Sequence, residues 1–260
     1  MEEQPQPLEK ETAEINGSKT HRLRVVIVFL FLLTVFLVSV YTFILQRNYS
    51  ENTLESAVEW NTQCADAIHK LVLQKLTGED YKNISTIADM QSERYQRLQK
   101  ELSELRKLNP TRYLYTAKMG ADGRPIYLID GLDLDAKDFA YPGTYIEKEM
   151  VPYIEAALAG ETVYSQEIVD TAWGHIFTAC YPVREDTGEV IGAICMEMDM
   201  EHTYKLLEQS NRAAVKMAMF AAIVLVLFAL GAYCLIQKSR TKSEEQQEQL
   251  QKAVEALLAN

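Results

Sequence analysis

Two long uncharged apolar segments most strongly constrain what this chain can fold into. Residues 25–45 contain 21 residues without a charged side chain, and residues 217–236 contain 20. Each segment matches the ~20 residues that a helix needs to cross the ~30 Å hydrocarbon core of a bilayer. The sequence therefore predicts a two-pass membrane protein with an N-terminal tail (1–24), transmembrane helices (25–45 and 213–237), a segment between them (46–212) and a C-terminal tail (238–260).

The cations beside the two apolar segments predict the orientation of the chain. They lie mainly on the tail sides, at Lys19, Arg22 and Arg24 before the first segment and at Lys238, Arg240 and Lys242 after the second. Lysine and arginine accumulate on the cytoplasmic side of a membrane. We therefore expect both termini in the cytoplasm and residues 46–212 outside. The first segment is too long for a signal peptide, whose apolar core has roughly 7–15 residues, so we expect it to remain as an anchor.

The middle segment has the size and composition of one acidic domain. Residues 47–212 contain 17 Lys and Arg against 28 Asp and Glu, which accounts for the whole net charge of -11. Proteins that bind nucleic acids need a basic surface, so this class of partner is excluded. The segment also contains both Trp and 12 of the 14 Tyr, enough aromatic material for a core.

Hydrophobic periodicity and turn residues predict an α+β fold for this segment. A helix is expected over 54–76, and a second from a cap at Ser85 or Thr86 to Asn109-Pro110. The fold class is then two N-terminal helices packed on an antiparallel sheet of about five strands, flanked by the two transmembrane helices. The predicted strands are 112–119, 125–130, 162–169, 175–183 and 190–199, with a loop at 131–147 and a short helix at 149–158.

The C-terminal tail has the pattern of a dimeric signalling helix. No Gly or Pro lies between Ala193 and Leu230, so nothing obliges a break between the last strand and the second apolar segment. Leu250, Val254 and Leu257 then follow at spacings of four and three. This spacing favours a parallel coiled-coil seam between two copies of the chain, with a solvated tail as the alternative.

Several short motifs, read in order, resemble the extracytoplasmic Cache sensor domains. These are PAS-like folds placed between two membrane spans in bacterial histidine kinases, diguanylate cyclases and chemotaxis receptors. The chain departs from the usual pattern at Glu197, where Asp is common, and at Cys180, where an aromatic or apolar residue is common. The motifs are Arg112-Tyr113-Leu114-Tyr115-Thr116, residues 122–131 from Asp122-Gly123 to Asp130-Gly131, Trp173-Gly174, Ala179-Cys180-Tyr181-Pro182-Val183 and residues 187–199.

The resemblance implies a signal-transduction sensor in the bacterial inner membrane. Its ligand would be a small extracellular metabolite of the amino acid, amine or carboxylate class, held between the sheet and the 131–147 loop. The chain would act as a homodimer, and its output would be a histidine kinase or diguanylate cyclase domain or protein outside these 260 residues. The alternative is a membrane-anchored accessory or structural envelope protein whose outer domain binds a protein partner.

One strand pair supplies the first candidate ligand-binding residues. If Asp122-Gly123 is a two-residue hairpin loop, Tyr115 lies opposite Asp130, with Ile126 and Leu128 on the same side of the sheet. A phenol beside a carboxylate is suited to orienting an amine or hydroxyl group. The alternative is a Tyr115 packed in the core and an Asp130 that caps the following turn.

Other aromatic and charged residues are further candidates for the ligand site. Tyr127, Tyr145 and Trp173 are predicted pocket walls, with Tyr141 as a further candidate, and core or rim packing is the alternative for each. Arg112 binds either a ligand carboxylate or a surface acid.

Two cysteines raise the question of a disulfide. A two-residue loop at Thr187-Gly188 would place Cys180 and Cys195 opposite each other, where a disulfide is open to them. A three-residue loop that includes Asp186 would place them on opposite faces of the sheet.

The remaining patterns do not predict catalysis or a cofactor. Asp133, Asp135 and Asp138 lack the Gly and Glu that an EF-hand loop needs at its sixth and twelfth positions. No Ser/His/Asp or Cys/His arrangement has supporting spacing, and no glycine-rich phosphate loop occurs. We therefore expect no catalytic site, no metal and no cofactor, and a chain that is not itself an enzyme.

Overall fold

The computed structural model describes residues 7–108 and 111–258, and these residues form two compact units. One unit, called here the outer unit, comprises residues 49–209. The other, called here the helical unit, combines the chain up to residue 48 with the chain from residue 210 onward. The ends of the two predicted tails, residues 1–6 and 259–260, lie outside the described residues.

The helical unit contains the two apolar segments. They belong to α1 (Pro7–Val72) and α5 (Glu201–Leu258). Each helix has a window with a mean hydropathy of 2.7, none of it buried, so both are long and apolar enough to cross a membrane. Within this unit the rings of Phe31 and Phe228 stack with their centroids 4.0 Å apart. The hydroxyls of Thr34, Ser39 and Thr42 each donate a 2.8 Å hydrogen bond to a carbonyl one turn back.

The outer unit places helices on an antiparallel sheet, which confirms the predicted α+β class. Strands run in the spatial order β2-β1-β6-β5-β3, with β4 paired on β5, and all pairs are antiparallel. The elements after α1 are α2 (Gly78–Asn83), a 3-10 turn (Ile87–Gln91), α3 (Glu93–Arg106), β1 (Thr111–Met119), β2 (Pro125–Asp130), α4 (Val151–Leu158), β3 (Val163–Tyr164), β4 (Val169–Thr171), β5 (Gly174–Arg184) and β6 (Val190–Asp199), followed by α5.

Side chains that alternate along the strands build a separate core on each face of the sheet. On β6, Ile194, Met196 and Met198 pack toward α1 and α3, whereas Ala193 and Cys195 pack toward the 131–147 loop and α4. The first face forms the larger core, with Ala65, Ile68, Val72, Leu98 and Leu102 supplied by the helices. Period-two alternation of this kind commits every side chain of a strand to one face.

Both long hairpins close with a three-residue loop. For the first hairpin this replaces the two-residue loop considered from the sequence, and for the second it is the three-residue alternative that includes Asp186. Gly123 and Gly188 each end a three-residue loop in the left-handed backbone region, with φ of 80° and 86°. The backbone N–H of Gly120 donates to Arg124 O, and that of Glu185 donates to Glu189 O, which closes the two loops. In each hairpin a β-bulge farther along then shifts the register by one residue.

The bulge in the first hairpin rearranges the predicted faces of β2. Tyr115 lies opposite Asp130, as predicted, because the bulge between Thr116 and Ala117 restores the register that a two-residue loop would have given. Leu128, predicted on the side of Tyr115, instead packs into the core on the helix face, and Tyr127 takes the side of Tyr115.

The predicted second helix is interrupted at Ser92. Thr86 starts a 3-10 turn, and Ser92 then caps α3 by accepting a 3.2 Å hydrogen bond from Tyr95 N. The Asp89 carboxylate accepts hydrogen bonds from the backbone N–H groups of Ser85 and Thr86, and the Ser92 hydroxyl accepts the one from Tyr95. Side chains that bind nearby backbone N–H groups favour two short elements over one long helix. The short α2 was not predicted, and the predicted helix end at Asn109-Pro110 lies outside the described residues.

The predicted strand over 162–169 is also divided, into β3 and β4. Between these two strands, Ser165 bonds to Thr178 of β5 through both its backbone and its hydroxyl.

Gly192 is a position where a single methyl group is expected to be costly. A Cβ added there would lie 2.2 Å from the ring of Tyr81, which is 2% exposed, and 2.9 Å from Ala117 O. Overpacking of a filled core costs ~1–3 kcal/mol. We expect Gly192→Ala to lower the melting temperature of the full chain in lipid nanodiscs by roughly 5–10 °C. Tyr81→Ala opens the space, so the double variant should lose less than the sum of the two single variants, and strict additivity would contradict the clash.

Candidate functional site

A cavity of about 50 Å³ lies over the middle of the sheet, on the face that carries the 131–147 loop and α4. Residues from β1, β2 and β6 form its floor, and residues from the loop, the start of α4 and the β4–β5 turn form its rim. Its lining is aromatic and acidic, and it consists of Tyr113, Tyr115, Tyr127, Asp130, Asp138, Ala140, Glu147, Glu149, Met150, Thr171, Ala172, Trp173 and Glu197.

Glu197 is the central carboxylate of the floor. Its side chain is 5% exposed, and its Oε1 accepts a 2.9 Å hydrogen bond from the hydroxyl of Tyr115. Burial raises the pKa of the Glu197 carboxyl to about 7, against the lowering effect of the Tyr115 bond, and the negative charges of Glu147 and Asp130 raise it further. The group therefore changes its charge close to neutral pH.

Asp130 is the second buried carboxylate of the floor. It is 2% exposed, and its two oxygens accept backbone hydrogen bonds from Leu132 N at 2.9 Å and Ala140 N at 2.8 Å. These bonds are the turn-capping arrangement that we considered as the alternative to a direct pair with Tyr115. Burial raises its pKa to about 6, although the two backbone N–H groups act in the opposite direction. Asp130 thus fixes the start of the loop while it lines the cavity.

The tyrosines of the floor direct their hydroxyl protons into carboxylates. Tyr113 donates to Asp138 Oδ2 at 2.6 Å, and Tyr127 donates to Glu147 Oε2. The ring of Tyr127 meets that of Tyr115 edge to face, with the centroids 4.8 Å apart. Burial raises the pKa of all three phenols, that of Tyr113 to about 12, so they remain neutral donors. The floor is therefore a set of rigid aromatic rings tied to acids.

The structure brings four of the six predicted ligand-binding residues to the cavity. Tyr115, Tyr127, Asp130 and Trp173 line it, with Trp173 41% exposed at the rim. The other two predicted residues, Tyr145 and Arg112, do not line the cavity, and neither does Tyr141.

Tyr145 and Arg112 instead pair with acids that do not line the cavity. The hydroxyl of Tyr145 donates to Asp122 at 3.0 Å, and its ring lies 3.6 Å from the guanidinium carbon of Arg124. Arg112 lies 3.8 Å from the carboxylate of Asp199, which is the surface pairing considered from the sequence, and its guanidinium carbon also lies 5.6 Å from the ring centre of Tyr113 at the edge of the cavity.

Sequence reasoning did not assign Tyr113, Asp138, Glu147 and Glu197 to the site. Glu197 reaches the site because β1 pairs with β6 as well as with β2, a pairing that no turn in the sequence indicates. In that pairing Tyr113 lies opposite Glu197 and Tyr115 lies opposite Cys195. Alternation along β6 then places Glu197 on the same face as Cys195 and beside the tyrosines. The two loop acids reach the cavity through irregular backbone, which no sequence period describes.

Cys180 and Cys195 lie opposite each other on β5 and β6, and both are fully buried. The three-residue loop predicted opposite faces for them, but the bulge beyond Val183 compensates for its extra residue. Both are thiols in this structure. Burial and the neighbouring Cys180 raise the pKa of Cys195, which keeps this thiol protonated beneath the floor of the cavity.

The strand that carries Glu197 leads directly into α5. β6 ends at Asp199, and α5 begins at Glu201. His175 of β5 holds this junction, since its Nδ1 lies 2.8 Å from Glu201 Oε2 and its ring stacks on Tyr204 with the centroids 3.5 Å apart. The first turn of α5 is therefore fastened to the sheet four residues after the central carboxylate.

Comparison with solved structures returns sensory and ligand-binding domains. The chain is similar to the sensory domain of the Campylobacter jejuni chemoreceptor Tlp3 with isoleucine bound, at 15% identity and a TM-score of 0.40, covering 62% of this chain and 60% of that one. It is also similar to the sensor domain of the Vibrio cholerae histidine kinase DctB, at 14% identity and a TM-score of 0.34, covering 60% and 59%.

A third similar structure is the ligand-binding domain of the Pseudomonas aeruginosa chemoreceptor PctC with GABA, at 16% identity and a TM-score of 0.35, covering 58% and 57%. The chain thus spans about 60% of the length of the first structures that it matches. No protein-family model and no curated protein matches the sequence.

Proposed function

We propose that this chain is a transmembrane sensor whose outer unit binds a small extracellular ligand in the cavity on the sheet. The observation that carries the proposal is the pair of buried carboxylates, Asp130 and Glu197, at the floor of a cavity walled by aromatic rings. A concave site with a few convergent polar groups and shifted pKa values is the usual form of a ligand-binding site. Four residues predicted from the sequence, Tyr115, Tyr127, Asp130 and Trp173, would contact the ligand.

The route out of the site would run through β6 into α5. A ligand that engages Glu197 contacts the last strand two residues before it ends, and His175 of the neighbouring strand β5 holds the first turn of the helix against the sheet. A ligand shifts a conformational equilibrium only by its differential affinity for the two states, typically worth ~1–3 kcal/mol of coupling. The signal would pass through the second membrane span to a cytoplasmic kinase or cyclase output.

Two exposed apolar stripes support a homodimer as the signalling unit. On α1, Tyr49, Trp60 and Leu71 are 49%, 60% and 39% exposed at intervals of eleven residues, which is close to three whole helical turns. On α5, the predicted seam residues Leu250 and Val254 are 56% and 48% exposed. Apolar stripes of this kind on helices are typical of helix–helix interfaces.

The test uses the full chain in lipid nanodiscs with a panel of amino acids, dicarboxylates and small amines. Both tryptophans, Trp60 and Trp173, lie in the outer unit, so their fluorescence reports its thermal unfolding. A ligand at a hundred times its dissociation constant adds ~2.7 kcal/mol, and we expect a rise of roughly 5–10 °C.

Cross-linking of the seam gives the second readout. In a Cys234→Ser background, Leu250→Cys should cross-link two copies more readily than Lys252→Cys on the opposite side of the helix, and the bound ligand should change that yield. No thermal shift across the panel, together with equal cross-linking at both positions, would move the assignment to an accessory protein that binds a protein partner.

A further inference from the structure

We infer that the ligand of this cavity is a small primary amine, bound as its ammonium ion and carrying no carboxylate. This inference rests on the proposed function and names the chemical class of its ligand. Three properties of the lining carry it: its uncompensated negative charge, its supply of hydrogen-bond acceptors, and its size.

The lining carries five carboxylates and no cationic side chain. Asp130 and Glu197 are buried, Asp138 is half-buried, and Glu147 and Glu149 are exposed at the rim. None of the five forms an ion pair within the part of the chain that the structure describes. A buried charge is costly unless an opposite charge accompanies it. A cationic ligand supplies that charge, whereas an anionic group would add to the repulsion.

Arginines near the site do not change this balance. The positive charge of Arg106 lowers the pKa of Asp130, but Arg106 does not line the cavity, and its Nε donates a 2.9 Å hydrogen bond to Gly131 O. The positive charge of Arg112 lowers the pKa of Glu197, yet Arg112 pairs with Asp199 and is not among the residues that line the cavity. A ligand carboxylate therefore finds no guanidinium among the residues that line the cavity.

Hydrogen-bond chemistry selects an N–H donor. The hydroxyl protons of Tyr113, Tyr115 and Tyr127 are already donated to carboxylates. Glu197 is 95% buried, and its Oε2 accepts no hydrogen bond from the described residues, although the side chain lines the cavity. Ionised carboxylates only accept hydrogen bonds, and an ammonium group only donates them. The aromatic walls add cation–π attraction to the same group.

The size of the cavity limits the bound group. The cavity has a volume of about 50 Å³, which favours a compact group over a large one. An ammonium group with a short carbon chain meets this limit, and a longer chain would extend past Trp173 at the rim. Ethanolamine is a probe of the right size and charge.

Four probes of related shape test the charge requirement by calorimetry on the full chain in nanodiscs. Ethanolamine is cationic, ethylene glycol is its neutral counterpart, serine adds a carboxylate to it, and glycolate is an anion. We expect ethanolamine to bind at least about tenfold more tightly than each of the other three. Tetramethylammonium, a cation without N–H donors, should bind more weakly than ethanolamine.

A matched pair of variants locates the interaction. Glu197→Gln keeps the shape of the side chain and removes its charge, so ethanolamine should bind at least about tenfold more weakly. Glu189→Gln, on the exposed β5–β6 turn, should leave the affinity unchanged. A melting temperature of Glu197→Gln at or above that of the parent chain would show that the loss is local.

The outcomes separate this inference from the proposed function. Serine or glycolate binding as tightly as ethanolamine would overturn the amine assignment and leave the sensor proposal standing. Failure of every amine in the panel to bind, while an amino acid or a dicarboxylate does bind, would do the same. Equal loss of affinity in Glu189→Gln would also overturn it, because the effect would then be general electrostatics and not the cavity.

Discussion

Raising the pH from about 5 to about 8 is expected to destabilise the outer unit by roughly 4 kcal/mol, because two buried carboxyls must lose their protons. A further ~2 kcal/mol of the effect falls below pH 5, where the unfolded chain begins to ionise. The pKa of Asp130 is raised by burial from 3.8 to about 6, and that of Glu197 from 4.5 to about 7. Each shift corresponds to about 3 kcal/mol at 1.36 kcal/mol per pKa unit. The folded state thus binds these two protons more tightly than the unfolded chain does.

The sign of the effect follows from that difference in proton affinity. Below about pH 3 both carboxyls are protonated in the folded and the unfolded chain, so they do not oppose folding. As the pH rises, the unfolded chain ionises first and gains stability relative to the fold, until the folded carboxyls ionise near pH 6 and pH 7. The groups that face them are Asp138 and Arg106 around Asp130, and Tyr115, Glu147, Asp130 and Arg112 around Glu197.

The measurement is the melting temperature of the full chain in nanodiscs as a function of pH. The expected drop is on the order of 10–20 °C over this range. The double variant Asp130→Asn with Glu197→Gln should flatten the profile, because neither amide titrates. The control is Asp186→Asn with Glu189→Gln, two acids on the exposed β5–β6 turn, which should keep the steep profile. A double variant with the slope of the parent chain would contradict the assignment of the shifts.

This instability is informative about the site. In a domain with only a structural role, replacing Glu197 with an apolar residue would increase the free energy of unfolding, because a buried ion without an opposite charge destabilises the folded state. The two buried carboxylates lie at the floor of the cavity, where the charge of a cationic ligand would compensate them. Ligand binding and stability are therefore expected to couple most strongly above pH 7, where both carboxyls are ionised.

The sequence predicted the regular elements well because each carries its own periodicity. The bounds predicted for β2 and β6 agree with the structure, β1 differs by one residue at its start, and β5 differs by one residue at each end. The short elements could not be predicted in the same way. α2 has six residues, fewer than two turns, and it depends on a cap and on tertiary contacts rather than on an apolar stripe.

The site was predictable in part, and for reasons that differ from residue to residue. Tyr115 opposite Asp130 was correct although the loop length was wrong, because a bulge compensated for the extra loop residue. A bulge has no periodic signature, so a register counted from a turn holds only as far as the first irregularity. Glu197 required the pairing of β1 with β6, which are separated by about 80 residues and linked by no turn signal.

Removal of the carboxylate of Asp80 is expected to cost roughly 3 kcal/mol of folding stability. Asp80 is 5% exposed, and its two oxygens accept hydrogen bonds from Arg94 Nε and Nη2 at 2.6 Å each. The same carboxylate accepts bonds from the backbone and hydroxyl of Thr77, which caps α2. Burial alone would raise its pKa, but the bonds from Arg94 and Thr77 outweigh burial and lower it. Its contribution is therefore present above about pH 4 and lost as the pH falls below that.

Asp89 offers a matched control, because it makes the same local motif and forms no ion pair with the residues that the structure describes. Thr86 and Asp89 repeat the Thr-x-x-Asp arrangement of Thr77 and Asp80, and Asp89 accepts bonds from the backbone of Ser85 and Thr86 at 2.8 Å. Loss of a cap costs ~1 kcal/mol, and loss of a hydrogen bond to a charged group costs ~1.5–3 kcal/mol. Asp89→Ala should therefore cost only about 1 kcal/mol in the same unfolding measurement.

The comparison of Asp80→Ala with Asp89→Ala shows whether the ion pair or the helix cap holds α2 and α3 together. Asp80 joins α2 to α3 through Arg94, and the next residue, Tyr81, fills the space above Gly192 of β6. Loss of this carboxylate should therefore loosen the contact of α2 with the sheet as well as the helix itself. Arg94→Ala should reproduce most of the Asp80→Ala loss, and the double variant should lose much less than the sum because the two act as one pair. Equal losses in Asp80→Ala and Asp89→Ala would mean that capping alone matters and that the ion pair, partly open to water on the Arg94 side, contributes nothing measurable.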